Sequence, residues 1–356
     1  MSAAPRRIVI AAGGTAGHVV PALAVAEALR ADGAEVVFIG GERAEAQLVP
    51  AAGFELHAIS VEGLSRSNPL RAVRALARAA AALLRGRRLL RELRADAVMG
   101  GGGYVAGPVG LAAVSRRIPL VLTEADSHLG LTNRLLAPFA MRVCLAFPLA
   151  GRDGERYRVT GRPVAEPALE RDAARGRLGI GPAEICVLVF GGSLGARSVN
   201  LAAVEALAGV DFRVLHISGH RDYPELAART LPPGYDLREQ LAPHEFAGAL
   251  AAADLVVARA GGSVFEIAAH GVPAILVPYP HASADHQTAN ARWMVQGGAA
   301  VCIADAELTS ERLAEEVTAL LGDRGRLAAM SAAALSLARP EAAREVAGEL
   351  LEAAAR

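Results

Sequence analysis

At 356 residues the chain is long enough for two domains of ordinary size, each with its own core. Its 37 arginines are balanced by 37 acidic residues, with no lysine at all, so nothing in the overall charge argues for nucleic acid. Hydrophobic residues make up 53% and aromatics only 4%, which predicts cores of closely packed Ala, Val and Leu.

Residues 7–12 form a β-branched apolar run, the first buried strand of a parallel sheet. The glycine turn Gly13-Gly14-Thr15-Ala16-Gly17-His18 leads into a helix through Arg30, and residues 35–39 give a second strand. This opening lacks G-x-G-x-x-G, and no acidic residue closes the second strand, which argues against a dinucleotide fold. His18 stands where the helix begins, so the helix dipole favours its neutral form. A neutral imidazole there can take a proton from an attacking hydroxyl; the plainer alternative is a histidine that packs the loop.

Between residues 66 and 94 there are nine arginines and one acid, Glu92, interleaved with leucines. The spacing predicts a basic amphipathic helix or helix pair, interrupted at Gly86. It is either a solvated surface helix or a face that meets anionic phospholipid. Residues 96–99 give a short strand into Gly100-Gly101-Gly102-Gly103-Tyr104, where four glycines let the backbone approach a ligand closely. Residues 119–123 form another strand, followed by Glu124 and Asp126, two further candidates for a base. Residues 157–161 end the first domain, and Pro163 and Pro167 mark a linker.

The second half repeats this architecture. A strand at 185–190 runs into Gly191-Gly192-Ser193, which opens a helix, and 212–217 form the next strand. Phe246 lies in the following helix, as a core residue or as a wall of a ligand pocket. A buried strand at 255–258, a glycine turn at Gly261 and Gly262, a helix over 263–270 and a strand at 274–277 come next. Glycines where a strand feeds a helix leave backbone N–H groups and a positive dipole end aimed at one spot, which suits a phosphate. Glu266, one turn into that helix, is placed to accept hydrogen bonds from sugar hydroxyls. The polar cluster His281, Asp285, His286, Gln287 and Asn290 opens a further helix. The ligand implied carries phosphate, ribose and another polar group: a nucleotide sugar. A strand at 299–303, helices from Thr309 and Asp323, and a final helix restarted by Pro340 complete the chain. Cys144, Cys186 and Cys302 lie far apart in apolar runs, which predicts reduced core thiols rather than disulfides or a zinc site. No window reaches the roughly 18 uninterrupted apolar residues of a membrane span, and no signal stretch follows Arg7. A soluble or surface-bound protein is expected.

Five separated motifs together resemble one family, the MurG N-acetylglucosaminyltransferases of glycosyltransferase family 28. They are Gly13 to His18 with Pro21-Ala22-Leu23-Ala24; Gly102-Gly103-Tyr104 with Gly107-Pro108; Glu124 with Gly130-Leu131-Thr132-Asn133; Gly191-Gly192-Ser193 with Gly195-Ala196; and Arg259 to Glu266 with His286-Gln287-Thr288-Ala289-Asn290. The chain departs from the pattern at Ala16, where Gly is common. Thr123 and Asp126 stand for a His and an Asn, and Arg162 and Ala165 for an Asn and an Arg. One residue fewer separates Arg259 from Glu266 than is usual.

The resemblance implies the α/β GT-B fold, two Rossmann-like domains whose parallel sheets face each other across a cleft. Residues 1–162 would bind the acceptor and the membrane, 163–340 would bind UDP-GlcNAc, and the helix of 341–356 would pack back on the first domain. It further implies transfer of GlcNAc from UDP-GlcNAc to the 4-hydroxyl of the muramyl sugar of lipid I, inverting the anomeric centre, at the cytoplasmic face of the bacterial cell membrane. His18 is then the expected base, with Glu124 the other catalytic candidate. Thr15, Ala16, Gly17, Asp126, Arg162, Gly192, Ser193, Phe246, Gly262, Ser263, Val264, Glu266, His286 and Gln287 fall on the donor side, and Gly103, Tyr104 and Asn133 on the acceptor side. Helix N-termini would stabilise the leaving diphosphate; no tightly bound cofactor is expected, and no Asp-x-Asp motif asks for a divalent cation. Two rivals remain: a UDP-GlcNAc 2-epimerase, and a membrane-bound nucleotide-sugar binding protein without activity.

Overall fold

A computed structural model describes residues 5–61, 69–165, 170–192 and 194–356, with the backbone alone for 69–77 and Ser283. The chain divides into two compact units, one of Met1–Ala165 with Arg339–Arg356 and one of Glu166–Ala338.

Unit 1 begins β1 (Arg7–Ala11), α1 (Ala16–Ala31), β2 (Glu35–Gly40), α2 (Ala44–Ala51), β3 (Glu55–Ala58) and α3 (Pro69–Glu92). It continues β4 (Ala97–Gly100), α4 (Gly103–Ser115), β5 (Leu120–Glu124), α5 (Leu131–Leu136), β6 (Arg142–Leu145) and β7 (Tyr157–Val159). The strands form one seven-stranded parallel sheet in the order β3-β2-β1-β4-β5-β6-β7. β1 lies inside it, with Val9 opposite Val37 on one side and Val98 on the other. Its alternate side chains feed two cores, because successive residues of a strand point to opposite faces. Ile8 and Ile10 pack with Val19, Val25 and Leu29 of α1, while Val9 and Ala11 pack with Val105 and Val109 of α4 and Leu89 and Leu90 of α3. A parallel sheet covered on both faces needs apolar residues where its strands are buried; Ile8 to Ala11 supply them, while Arg7 opens the strand half-buried and pairs with Glu35.

α3 runs without a break through Gly86, where the sequence suggested an interruption. The glycine is a point of close packing: a Cβ there would lie 3.4 Å from the Cβ of Ala112 on α4. Glycine costs a helix interior about 0.5–1 kcal/mol, here offset by the approach of two helices.

Unit 2 contains α6 (Arg171–Arg177), β8 (Cys186–Phe190), α7 (Arg197–Ala206), β9 (Arg213–Ile217), α8 (Tyr223–Ala227), β10 (Tyr235–Arg238) and α9 (Pro243–Ala252). It continues β11 (Leu255–Ala258), α10 (Val264–Ala269), β12 (Ala274–Leu276), α11 (His286–Gln296), β13 (Ala300–Cys302), α12 (Ser310–Gly322) and α13 (Arg324–Leu337). Its six-stranded parallel sheet has the order β10-β9-β8-β11-β12-β13. Cys302, expected as a core thiol, is exposed, whereas Cys144 and Cys186 are buried. The reason is its place at the end of the edge strand β13, along which burial falls from Ala300 through Val301 to Cys302.

α14 (Ala342–Ala354) follows unit 2 in the chain but belongs to the core of unit 1. Val346, Ala347, Leu350 and Ala353 are fully buried against the α1 face of the first sheet. Arg142 of β6 pairs with Glu349 at 2.8 Å and fixes the helix to the sheet's far side.

Candidate active site

In each sheet the strand order reverses beside the first strand of its unit, between β1 and β4 and between β8 and β11. Ligands of open α/β sheets bind outside the carboxyl ends of the strands at such switch points. Every glycine turn singled out in the sequence follows one of these four strands.

In unit 1, β1 runs into Gly13 and Gly14, the latter with φ 110°. Thr15 caps α1 without a side-chain hydrogen bond, so its hydroxyl is not spent on the helix. Thr15 and Gly17 are exposed, and Ala16 and His18 half-buried, in the first turn. The backbone N–H of His18 donates to the Thr15 carbonyl at 3.0 Å. Burial holds the His18 imidazole below its ordinary pKa of 6.5, and the positive charge of Arg162 acts in the same direction; Asp126 and Glu45 oppose them. A neutral ring at this position can accept a proton. Arg162 is itself buried, and its Nη2 donates to the Gly17 carbonyl at 2.5 Å.

The loop after β4 closes the other side. Gly102 and Gly103 have φ 90° and 75°, and a Cβ at Gly102 would lie 2.8 Å from Nδ1 of His18. Tyr104, in the first turn of α4, donates its hydroxyl to Glu45 at 2.9 Å, and burial followed by that carboxylate pushes its pKa up to about 12.

Glu124, at the end of β5, is buried and tied to its own loop. Oε1 accepts from the Asp126 N–H at 3.2 Å, and Oε2 from the Gly130 N–H at 2.8 Å and from Nδ2 of Asn133 at 2.9 Å. Burial raises its pKa; those three hydrogen bonds oppose the rise. Asn133 is buried as well and also donates to the Thr123 carbonyl at 2.9 Å, while its Oδ1 has no protein partner.

In unit 2, β8 runs into Gly191 and Gly192, the latter with φ 89°; Ser193 lies outside the described residues. Gly195 is required by space, since a Cβ would meet the Ser218 carbonyl at 2.0 Å. Phe246 is half-buried and packs edge-on against Phe190, the last residue of β8, at 5.0 Å. After β11, Gly261 to Ser263 form the turn into α10. Ser263 caps α10 without a side-chain bond. Val264 is fully buried and its N–H donates to the Gly261 carbonyl at 3.2 Å, so its side chain belongs to the core. Glu266 is half-buried in the first turn.

α11 holds this turn from the other side. Nδ2 of Asn290 donates to the Ala260 carbonyl at 3.0 Å, and Oε1 of Gln287 accepts from the Tyr279 N–H at 2.9 Å. His286 is half-buried beside Gln287. Arg259, which opens the motif that ends at Glu266, has a guanidinium that acts as a hub. It pairs with Asp305 at 2.6 Å and donates to the Val277 and Pro278 carbonyls and to Oγ of Ser198. It therefore fastens the ends of β11 and β12 to α7. Glu45 of α2, which no sequence motif marks, is buried between the turns at Gly14 and Gly41. Among the described residues no group of His, Cys, Asp or Glu is arranged to hold a metal ion, and no helix is long and apolar enough to cross a membrane.

The glycosyltransferase family 28 N-terminal domain profile matches residues 8–145, and the C-terminal domain profile matches residues 186–346. A UDP-N-acetylglucosamine--N-acetylmuramyl-(pentapeptide) pyrophosphoryl-undecaprenol N-acetylglucosamine transferase of Moorella thermoacetica is 43% identical over 355 residues, covering 94% of this chain and 96% of its own. The crystal structure of Acinetobacter baumannii MurG matches with a TM-score of 0.76 at 31% identity, over 98% of this chain and 100% of its own. The UDP-GlcNAc 2-epimerase of Neisseria meningitidis bound to UDP-GlcNAc matches with a TM-score of 0.67 over 97% of this chain and 100% of its own, but at 13% identity it shares the fold alone. With both domain profiles matched in order and a relative this similar along its whole length, the chain belongs to glycosyltransferase family 28, in its MurG branch, and has that branch's GT-B fold.

Proposed function

We propose that the chain transfers N-acetylglucosamine from UDP-GlcNAc to the 4-hydroxyl of undecaprenyl-pyrophosphoryl-MurNAc-pentapeptide, lipid I, with inversion at the anomeric carbon, to give lipid II. The observation that carries this reading is His18, a neutral imidazole at the first unit's switch point, in a chain whose full length matches a transferase of that name. As the bond from the sugar C1 to the diphosphate breaks, C1 becomes oxocarbenium-like. The acceptor oxygen bonds to C1, its proton passes to His18, and UDP leaves with the electron pair.

Unit 2 takes the donor on this reading. The turns at Gly192 and at Gly262 and Ser263 meet the diphosphate, Glu266 accepts from the ribose hydroxyls, and His286 and Gln287 meet the sugar. Fixed N–H groups at such turns stabilise the charge that develops on the leaving group without reorganising. Within unit 1, we assign Thr15, Gly17, Asp126 and Arg162 to the donor and Gly103, Tyr104 and Asn133 to the acceptor. Glu124 shapes its loop, because both its oxygens are already engaged.

The lipid-linked acceptor places the protein at the cytoplasmic face of the cell membrane as a peripheral protein. The described part of α3 supports this: Arg85, Arg87, Arg88, Arg91 and Arg94 are exposed at its end, beside a Leu84 that is 68% exposed. Such a basic, partly apolar face fits anionic phospholipid. Arg66, within the same basic segment, lies outside the described residues.

The test is UDP release from UDP-GlcNAc with and without a short-chain lipid I analogue. Release that depends on the acceptor, with a disaccharide product, is expected. Release or epimerisation of the donor with no acceptor present favours the 2-epimerase reading instead, and no turnover at all favours a binding protein.

A further inference from the structure

Glu45 lies in the first turn of α2 and is fully buried, at 0% exposure. Its carboxylate joins two glycine turns and a tyrosine. Oε2 accepts from the Gly14 N–H at 2.8 Å; Oε1 accepts from the Gly41 N–H at 2.8 Å and from the Tyr104 hydroxyl at 2.9 Å. The surrounding backbone leaves room for nothing else. A Cβ at Gly13 would lie 2.7 Å from Oε1, one at Gly40 2.8 Å from Cγ of Glu45, and one at Gly41 2.2 Å from the Tyr104 oxygen. Burial pushes the Glu45 pKa up, but the hydrogen bonds from Gly14, its own amide, Tyr104 and Gly41 outweigh it and hold the pKa below the ordinary carboxylate value. The group is an ionised acceptor in the interior, and two of its three donors, the Gly14 N–H and the Tyr104 hydroxyl, lead toward one imidazole.

Gly14 precedes Thr15, whose carbonyl accepts from the His18 and Val19 N–H groups at 3.0 and 3.3 Å. Tyr104 follows Gly102 and Gly103, the first of which lies against Nδ1 of His18 and the second against the Gly13 carbonyl, where a Cβ would stand only 1.9 Å away. One side chain thus fastens both loops that bracket His18.

We infer that Glu45 is a positioning residue for the transfer reaction: by tying the turn at Gly14 and the ring of Tyr104 to α2, it fixes the His18 imidazole where the acceptor hydroxyl must meet it. This rests on His18 being the base, as proposed above. Misplacing a reacting group by about 1 Å costs on the order of 10²-fold in rate.

Glu45→Gln keeps the volume but turns an N–H₂ group toward backbone donors; Glu45→Asp keeps the charge but is too short to span both turns. Each is made in the wild type and in a His18→Ala background, and kcat per folded molecule and UDP affinity by calorimetry are measured. We expect kcat to fall about 10–100-fold in the wild-type background, UDP affinity to stay within about twofold, and little further fall in the His18→Ala background, because residues acting as a unit are not additive. Wild-type kcat per folded molecule in both Glu45 variants overturns the inference, as does a full additional loss in the His18→Ala background. If His18→Ala itself keeps wild-type activity, the base reading fails and takes this inference with it; a crippled His18→Ala beside active Glu45 variants removes the inference alone.

Discussion

Arg162 donates to the carbonyl of Gly17 at 2.5 Å, which holds a guanidinium one residue from His18 although 145 positions separate Arg162 from Gly17. After burial, its charge is the strongest influence lowering the His18 pKa from 6.5. The base must be neutral to act, so activity is lost as pH falls through its pKa, and the acid limb of the wild-type kcat profile is expected below pH 6.5. Replacing Arg162 by Met removes a positive charge, lets the His18 pKa rise, and moves the acid limb to higher pH. A limb that stays in place or moves down, in a variant that still binds UDP, contradicts this electrostatic link.

Glu266 stands in the first turn of a helix that follows the Gly261 turn. Its loss to Ala is expected to weaken UDP-GlcNAc binding by about 1–3 kcal/mol, the range for hydrogen bonds to a charged group. Isothermal titration with UDP alone reads the same contact, since the ribose is common to both. An unchanged affinity removes Glu266 from the donor site.

Gly103 combines φ 75° with a carbonyl 1.9 Å from where a Cβ would stand. An alanine there meets about 1–2 kcal/mol of left-handed backbone strain before the clash is relieved. Gly103→Ala is therefore expected to lower the melting temperature by several degrees and to reduce kcat, because the loop it distorts lies on the His18 ring. Calorimetric melting and steady-state kinetics on one preparation check both. A variant with wild-type Tm shows that the loop yields easily.

Arg85, Arg87 and Arg88 lie exposed on α3, with Arg88 held by Glu92. Each arginine that reaches an anionic bilayer contributes roughly 1 kcal/mol. Changing all three to Ser is expected to reduce sedimentation with phosphatidylglycerol vesicles by on the order of 10²-fold at low salt, and added salt is expected to do the same to the wild type. Equal binding to neutral and anionic vesicles speaks for another mode of attachment.

Long buried strands were the most legible part of the chain. β8 and β11 are apolar at every position, and β1 at every position after Arg7, because parallel strands are covered on both faces, and glycines mark the turns that follow them. α2, β3 and β10 were not anticipated. β3 is an edge strand with no fully buried residue, and β10 likewise, so neither carries the apolar run by which the others were found. Gly86 misled because a glycine in a helical pattern reads as a break, whereas here it is the contact with Ala112. Glu45 gave no signal of its own, since one glutamate in a short polar segment looks like a surface residue. What could have revealed it is the pairing of Gly40-Gly41 with Gly13-Gly14: two glycine pairs after adjacent parallel strands need something to fill the space between them.

The burial of α14 in the first core also bears on the order in which the protein is made. Unit 2 is one unbroken stretch, so its sheet can close as soon as its last helix leaves the ribosome. Unit 1 is synthesised first but waits for Val346, Ala347 and Leu350 to cover the α1 side of its sheet. The half that is translated earlier is thus completed later, and until then its central strand and helix offer an open apolar surface of the kind that chaperones bind.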